Sequence, residues 1–595
     1  MGAKRSIFNH PIWSGLLWGV LGLLLRLWNL GGKPPSSIEI SSIGFGLGQG
    51  FADLPLDRPV PPSDLLISLQ FLPALGIGDA IARLAEQSNH PPLFFALMRL
   101  WLGAVTPSGA VVDLSMARLF SVLLGVMTIP VGFWIAHRLG RSLISPEGTE
   151  TRQGQQLWFA HGVAALLAFS PYGIAIAQEA RHYTLAVLWA LGTWTATLLS
   201  AQRLQRGQSP GWKLGVIWVV GNTLALATHY LSLLGIVAQG MAIAIFAVVE
   251  IRSKGWPILR SPPWRFMALI ALAQAMLTAL WLPTIAGLSS NELTTWIQDD
   301  LSWDELLLVP LRLLLWMITM VFLLPVEGQP TAIIIPSALG LLVLLGIVIQ
   351  NIAPIWISGL RPRSGEWAIW GILAVGAIAP PLMMIAIAQT GRGDLSLAPR
   401  YQFVHFVPVV LIFGLALGRI AGSRAVTAIA RWSIPGRRLV IGLILTSFLG
   451  GFFVAAGAGF QKSRQLDRLW SGIYDVSGDT PTLLVTEIET YSEVRGTVAI
   501  SYEWQRKWQR QTEAPPQLLM LQSANNRDGD QTPLAQALTD YQGEREKAPL
   551  NLWTIDFSPK LDLQERGCEK QKLPRTLRKT GYKLRHYRCA VPRDF

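Results

Sequence analysis

Side chains that can hold a phosphate or move a proton recur at the ends of the apolar segments of this sequence. They are Glu39, His90, Glu179, Arg181, His182, Tyr183, His229, Tyr230, Arg400 and Tyr401. A carboxylate in an enclosed, partly dry site can take a proton from a hydroxyl group, and arginine presents a planar fork suited to phosphate. The set therefore predicts transfer from a lipid-phosphate donor to a hydroxyl acceptor.

Each of these residues, taken alone, also fits a structural role as a snorkelling or hydrogen-bonded side chain. Ionisable groups at or within membrane depth are costly, however, and they mark function more often than packing. The orientation predicted from loop charge places the whole set on one membrane face. Because that orientation is independent of the residues themselves, we interpret the set as a functional site.

Apolar helices must position these residues. The chain has 595 residues, is 51% hydrophobic and 15% charged, and contains repeated apolar runs of about 20 residues, the length that crosses a bilayer. This pattern predicts an α-helical polytopic membrane protein with about 11–12 transmembrane helices. Most of the net charge of +13 lies in the membrane part, where basic loops set orientation, so no nucleic-acid partner is expected.

Loop charge also predicts the orientation of the spans. Lys4 and Arg5 precede the first apolar run, Pro11–Leu30, which lacks a small-residue cleavage site and is expected to remain as an anchor. Basic loops recur at alternate ends of the later spans. This pattern predicts a plasma-membrane protein with a cytoplasmic N-terminus and an extracytoplasmic C-terminal segment.

One apolar segment, Glu305–Pro325, interrupts the alternation. It is long enough to span, but counting it as a span would place the basic Arg361–Arg363 outside. A re-entrant or interfacial segment restores the alternation, and Pro310 and Arg312 favour that interpretation. Both readings remain open from the sequence.

The sequence divides at Gln461 into a transmembrane domain, 1–460, and a soluble domain, 461–595. The first outer loop, 31–104, contains amphipathic pieces predicted to lie on the membrane surface. The glycine-rich stretch Gly44–Gly50 within it is not part of a βαβ unit, and we interpret it as pliable or close-packed. Because no phosphate-binding loop signature occurs, we expect no nucleotide and no other cofactor.

The segment 461–595 alternates short β-rich runs with helix-like stretches, which predicts a small extracytoplasmic α/β domain. It contains the two cysteines of the chain, Cys568 and Cys589. In an exported domain such a pair suggests a disulfide, and two buried thiols are the alternative. Their spacing does not fit a four-ligand zinc site, and the histidines His90, His182 and His229 lack local ligand spacing, so no metal is expected.

An ordered series of short motifs resembles a known family. They are SSIEI, HPPLFFALMRLW, ARLFSVLLGV, SPYGIAIAQEARHYTL, THYLSLLGIVAQ, WLP and APRYQFVHFVPVVLI. Together they resemble the polytopic GT-C superfamily of glycosyltransferases, in the branch of protein O-mannosyltransferases and lipid A aminoarabinose transferases. The resemblance covers about Pro11 to Phe460. It implies inverting sugar transfer from a polyprenyl-phosphate donor to a lipid, glycan or protein hydroxyl on the outer face.

The resemblance also implies roles for individual residues. Glu39 stands where the family carries an Asp-Glu pair, and this makes it the candidate catalytic base. Glu179 matches the second outer acid of the family, with Arg181 and Tyr183 in its neighbouring pattern. Arg400 matches the position expected to meet the donor phosphate, and His90 stands where a basic residue or histidine precedes Pro-Pro-Leu.

Two other function classes remain open from the sequence. A flippase or transporter of polyprenyl-linked glycans would also present charged groups to a lipid phosphate. Transporters often carry internal repeats with charges near the bilayer midplane, whereas here no repeat is visible and the charges cluster at span ends. The other class is an inactive relative whose outer domain only binds glycans or proteins, and the single acid at Glu39 favours it.

Overall fold

The fold is taken from a computed structural model. It describes residues 11–143, 150–287, 302–361, 366–391, 393–423, 426–429, 432–510, 515–522, 534, 538, 549–558, 563 and 567–590. The segment Thr532–Gln542, one of the helix-like stretches of 461–595, lies mostly outside these residues, as do Pro362 and Arg363 of the basic loop.

Helices dominate the described residues. In chain order they are α1 Pro11–Leu27, α2 Ser37–Gly46, α3 Pro62–Leu65, α4 Ile77–Gln87, α5 Leu93–Val105, α6 Leu114–Leu143, α7 Glu150–Phe169, α8 Pro171–Ala177, α9 Tyr183–Gln205, α10 Trp212–Thr228, α11 Ser232–Lys254, α12 Pro262–Ala279, α13 Leu282–Ala286, α14 Trp303–Thr319, α15 Thr331–Gly359, α16 Trp367–Gln389, α17 Phe403–Ala421, α18 Gly436–Ala455, α19 Leu466–Ser477 and α20 Tyr491–Lys507.

Within the described ranges, seven helices are long and apolar enough to cross a membrane. They are Leu114–Arg141, Tyr183–Gln205, Ser232–Lys254, Thr331–Gly359, Trp367–Gln389, Pro399–Ala421 and Gly436–Ala455. The bent pair formed by α7 and α8 makes an eighth if it is one span, and α1, α5 and α10 are shorter apolar helices. The prediction of an α-helical polytopic membrane protein is confirmed. The segment Glu305–Pro325, whose spanning the sequence left open, overlaps α14, a 17-residue helix with Pro310 inside it.

The chain forms two compact units. The first contains residues 1–30, 90–94 and 118–461, and the second contains 31–89, 95–117 and 462–595. In the first unit α7 packs closely along α17. A Cβ added at Gly418 would come within 2.8 Å of the Gln155 carbonyl oxygen, so only glycine permits this approach.

A buried arginine stabilises the 49° bend between α7 and α8. Pro171 has no N–H for the Leu167 carbonyl, and the Tyr172 amide donates instead to Met320. Arg26 of α1, 1% exposed, donates to the carbonyls of Leu167 and Ala168 at 2.8 Å each. The arginine therefore satisfies carbonyls that the bend leaves without their helical partners.

The second unit contains a five-stranded sheet built from the C-terminal segment. Its strands are β3 Thr482–Ile488, β4 Gln517–Gln522, β5 Leu550–Ile555, β6 Cys568–Gln571 and β7 Leu584–Cys589, while β1 Val426–Ile429 and β2 Trp432–Ile434 pair in the first unit. The order is β4-β3-β5-β7-β6, with β4, β3 and β5 parallel and β7 and β6 antiparallel. This confirms the predicted small α/β domain. Cys568 and Cys589 face each other across β6 and β7 and form a disulfide.

The outer-loop residues 31–89 and 95–117 pack with this C-terminal segment in one unit. Val60 bridges to Leu518 at the β4 edge, and the Tyr502 hydroxyl of α20 bonds the backbone of Val112 and Leu114 at 2.9 Å each. The glycine-rich stretch is close-packed, because a Cβ at Gly44 would approach the Phe51 ring to 2.6 Å.

A buried histidine in this unit should make the sheet sensitive to acid. The His586 ring stacks on Trp553 with centroids 4.1 Å apart, and its Nε2 lies 2.8 Å from Oδ1 of Asn551. Burial, assisted by the charge of Arg588, lowers the pKa of His586 from 6.5 to about 4. Below pH 6.5 the unfolded chain therefore binds a proton that the folded sheet does not, so stability falls as pH drops.

We expect the contribution of His586 to the free energy of unfolding of the full-length protein to fall by on the order of 2 kcal/mol between pH 6.5 and pH 4, and to level off below pH 4. Denaturant unfolding followed by tryptophan fluorescence measures this. His586→Gln removes the titrating group and should flatten this component. An identical pH dependence in that variant would show that other groups cause the acid sensitivity.

Candidate active site

Residues from four helix-end segments of the first unit meet in one cluster. They are His90 before α5, Arg181, His182 and Tyr183 at the start of α9, His229 between α10 and α11, and Arg400 and Tyr401 before α17. We call these seven residues the basic cluster. Each helix carries these polar residues where its apolar run stops. The helix ends lie close together in the first unit, so the residues meet.

Three imidazole rings form the centre of the basic cluster. The ring centroids of His90 and His182 are 5.4 Å apart, those of His182 and His229 are 4.6 Å apart, and those of His90 and His229 are 6.4 Å apart. The Tyr401 ring lies 6.1 Å from that of His229, and the Tyr183 ring lies 4.5 Å from that of His182. The sequence singled out these side chains separately, and the structure brings them together.

Arg181 is held from both its backbone and its side chain. It is 3% exposed, and its backbone exchanges hydrogen bonds with the Ser121 hydroxyl at 3.1 and 3.0 Å. Its Nη2 lies 3.1 Å from Nε2 of His90 and 3.5 Å from the Tyr183 hydroxyl. A guanidinium only donates, so His90 accepts through Nε2 and is neutral in this arrangement.

Arg400 supplies the second guanidinium. Its Cζ lies 5.1 Å from the centre of the Tyr401 ring, and its carbonyl accepts a hydrogen bond from the Tyr172 hydroxyl at 3.0 Å. Glu179 is half-buried, and its carboxylate is close enough to Arg400 for a favourable charge interaction. A carboxylate therefore lies close to one of the two arginines of the basic cluster.

Burial keeps two of the histidines neutral. It lowers the pKa of His182 well below its ordinary value, and the charges of Arg181 and Arg400 act in the same direction. Burial, followed by the charges of Arg181 and Arg400, lowers the pKa of His229 to about 3. The Leu231 amide donates to Nδ1 of His229 at 3.0 Å, so the neutral ring carries its proton on Nε2. The positive charge of the cluster therefore comes from the two arginines.

Not every predicted residue faces the basic cluster. Tyr230 follows His229 in sequence, but its ring packs against Trp281 at 5.9 Å. Conversely, two aromatic neighbours of the basic cluster are not among the residues predicted from the sequence. The Phe403 ring lies 5.1 Å from that of His229, and the Phe94 ring lies 5.8 Å from that of His182. Their adjacency to the APRY and HPPL motifs was the only available signal.

A buried ion pair anchors the loop that precedes Arg400. Arg312 of α14 reaches Asp394 at 3.0 Å, and the Asp394 side chain is fully buried. The other carboxylate oxygen of Asp394 accepts from the Ser396 amide and hydroxyl at 2.8 and 2.6 Å. From the sequence, Arg312 is only a residue that disfavours a membrane span. Its partner Asp394 lies 82 positions later, so the sequence did not indicate the ion pair.

Glu39 belongs to the second unit and is described there by itself. It is fully buried at the start of α2. Its Oε2 accepts hydrogen bonds from the Ser36 amide at 3.1 Å and the Ser36 hydroxyl at 3.2 Å, which is a capping box. Lys462 also reaches this oxygen, at 2.7 Å. The carboxylate that the sequence presented as isolated is thus paired with a lysine from the C-terminal segment.

Metal binding has no support among the residues whose placement is described. No three or more histidine, cysteine, aspartate or glutamate side chains there form a group that could hold a metal ion. What the basic cluster offers is two guanidinium groups, neutral imidazoles and phenols. Such a set can bind a phosphate through charge-assisted hydrogen bonds.

Comparison with known proteins finds similarity only among solved structures. No protein-family model and no curated protein matches the sequence. The crystal structure of ArnT from Cupriavidus metallidurans bound to undecaprenyl phosphate aligns over 96% of this chain and 97% of that chain, with 12% identity and a TM-score of 0.43.

A second similar structure is the archaeal oligosaccharyltransferase AglB from Archaeoglobus fulgidus in complex with an inhibitory peptide and a dolichol-phosphate. It aligns over 82% of this chain and 64% of that chain, with 12% identity and a TM-score of 0.39. Both neighbours belong to the GT-C superfamily. Likeness at these scores does not identify corresponding residues.

Proposed function

We propose that this integral membrane protein is a glycosyltransferase that moves a sugar from a polyprenyl-phosphate donor to a hydroxyl acceptor. The reaction takes place on the extracytoplasmic face of the plasma membrane and inverts the anomeric centre. The observation that carries this proposal is the convergence of Arg181 and Arg400 on one buried cluster with neutral histidines. The guanidinium groups of Arg181 and Arg400 are held at the ends of apolar helices, where they can bind the phosphate of a lipid-linked donor.

The two arginines act on the phosphate of the donor. As the bond between the sugar and the phosphate oxygen breaks, negative charge grows on the departing polyprenyl phosphate. Guanidinium groups that are already in place stabilise this charge without reorganising, which is the largest contribution in many such sites. His90, His182 and His229 stay neutral and can hydrogen-bond phosphate oxygens or sugar hydroxyls.

A carboxylate completes the reaction. The acceptor hydroxyl oxygen attacks the anomeric carbon and forms the new glycosidic bond, its proton passes to the carboxylate, and polyprenyl phosphate leaves with the electron pair of the broken bond. We assign Glu39 as the base and Glu179 as the group that orients the acceptor or the base. The acceptor is a lipid, glycan or protein hydroxyl, and the chemistry needs neither a nucleotide nor a metal.

Transfer by the purified full-length protein tests the proposal. Detergent-solubilised protein is mixed with polyprenyl-phosphate mannose labelled in the sugar, or with the corresponding pentose donor, and with a cell-envelope extract that retains its lipids. We expect time-dependent release of polyprenyl phosphate and labelled glycan. The double variant Arg181→Ala/Arg400→Ala serves as the inactive control.

Two outcomes would replace the proposal. Donor that remains intact while proteoliposomes carry the lipid-linked sugar across the bilayer would assign a flippase. Donor or glycan binding without release or transport would assign a binding protein.

A further inference from the structure

The carboxylate of Glu39 forms an ion pair with a residue that lies much later in the sequence. Lys462 is the second residue of the C-terminal segment, and its ammonium lies 2.7 Å from Oε2 of Glu39. The same ammonium donates to the Pro34 carbonyl at 3.2 Å. Lys462 therefore binds both the Glu39 side chain and the backbone immediately before α2.

We infer that Lys462 is a positioning residue that fixes the ionised Glu39 carboxylate for catalysis, so that the C-terminal segment is part of the catalytic apparatus. This inference rests on the proposed function. It assigns a role to a segment that the sequence presented as a separate domain.

A charge on the Glu39 carboxylate is costly to bury. The Glu39 side chain is fully buried, whereas that of Lys462 is 24% exposed. An ionised carboxylate taken out of water is costly unless it is paired and hydrogen-bonded. Ser36 supplies neutral donors, and Lys462 supplies the compensating charge. A general base must be ionised to accept a proton. The positive charge of Lys462 favours the ionised form of the Glu39 carboxylate.

Hydrogen bonds also hold the Glu39 carboxylate in position. Three donors converge on Oε2, two from Ser36 and one from Lys462, so this oxygen is held in place. Such convergence holds a side chain in one rotamer, and small displacements of a reacting group are costly in rate.

The helices α20 and α4, which pack on α2, carry other charged groups whose contacts are described. On α20, Glu493 accepts from the Thr490 amide and Glu503 pairs with Arg506 and Lys507; on α4, Arg83 pairs with Asp53 and Glu86. Arg495 of α20 donates to the Ser41 hydroxyl at 3.0 Å. Asp79 of α4 accepts from the Gly76 amide at 2.6 Å. The short helical segment Leu66–Leu69, which also packs on α2, carries no charged side chain. Among the residues that the structure describes, Lys462 is seen in an ion pair with the Glu39 carboxylate, and we assign a pH effect on Glu39 to this pair.

The test is the pH dependence of transfer in Lys462→Met. We expect the maximal rate at pH 7 to fall about 10- to 100-fold with the KM for the donor unchanged. We also expect the acid limb of the pH–rate profile to move to higher pH, because the carboxylate loses the charge that favours ionisation. Lys462→Arg keeps the charge and should recover most of the rate and the original profile.

A neighbouring ion pair provides the matched control. Arg464, two positions along, pairs with Asp556 at 2.8 Å. Arg464→Met should leave the rate and the pH profile as in the wild type. In a Glu39→Gln background, Lys462→Met should cause little further loss, because both residues act through one group.

The outcomes separate two failures. A wild-type protein without transfer overturns the proposed function and this role with it. Normal transfer by the wild type, together with an unmoved acid limb in Lys462→Met, overturns the role of Lys462 alone. A uniform rate loss that Lys462→Arg does not rescue would also overturn it, in favour of a packing role.

Discussion

Replacing Glu39 by glutamine should lower turnover by at least about 100-fold, the lower bound of typical general-base assistance. Glutamine keeps the shape of the side chain, and its carbonyl oxygen can still accept from Ser36 and Lys462. It cannot take the proton of the acceptor hydroxyl. We therefore expect donor binding and folding to change little, and single-turnover transfer with saturating donor measures the chemical step directly.

Other carboxylates provide the comparison. Glu179→Gln should reduce turnover less, because we assign it an orienting role. Asp53 is paired with Arg83 on the surface, with its side chain 79% exposed, and Asp57 accepts from the Gln522 amide at 3.0 Å. Ordinary turnover by Glu39→Gln would refute its assignment as the base and leave Glu179, Asp53 and Asp57 to be tested in turn.

The second large effect is expected at Arg400. Arg400→Ala should nearly abolish donor use, with the KM for the donor raised by about 100-fold or more, since a charge-assisted bidentate contact to phosphate contributes several times what a neutral hydrogen bond does. Arg400→Lys keeps the charge but loses the planar fork, and we expect an intermediate value. Donor titrations with the purified variants measure both.

An arginine at the far end of α17, the helix that follows Arg400, provides the control. Arg419, in the last turn of α17, pairs with Glu366, and Arg419→Ala should leave donor affinity unaltered. Unchanged donor affinity in Arg400→Ala would instead assign the phosphate to Arg181. In that case Arg181→Ala should show the loss that we predict here for Arg400.

The sequence by itself determined the membrane class of this protein, the small α/β domain after residue 460 and most of the basic cluster. These properties are local. An apolar run is long enough to span or it is not, and a span exposes its polar residues where the run ends. His90, Arg181, His182, His229 and Arg400 could therefore be selected one by one, although no spacing along the chain showed that they would meet.

The tertiary structure decided what depends on partners distant in sequence and on burial. It paired Glu39 with Lys462 across 423 positions, closed the disulfide that the sequence had left open, and turned Tyr230 toward Trp281. It also made His182 and His229 neutral, because desolvation on burial disfavours a charged imidazole. In water the same side chains could take up a proton. Pairing and desolvation arise only when separate segments pack, so local sequence patterns cannot specify them.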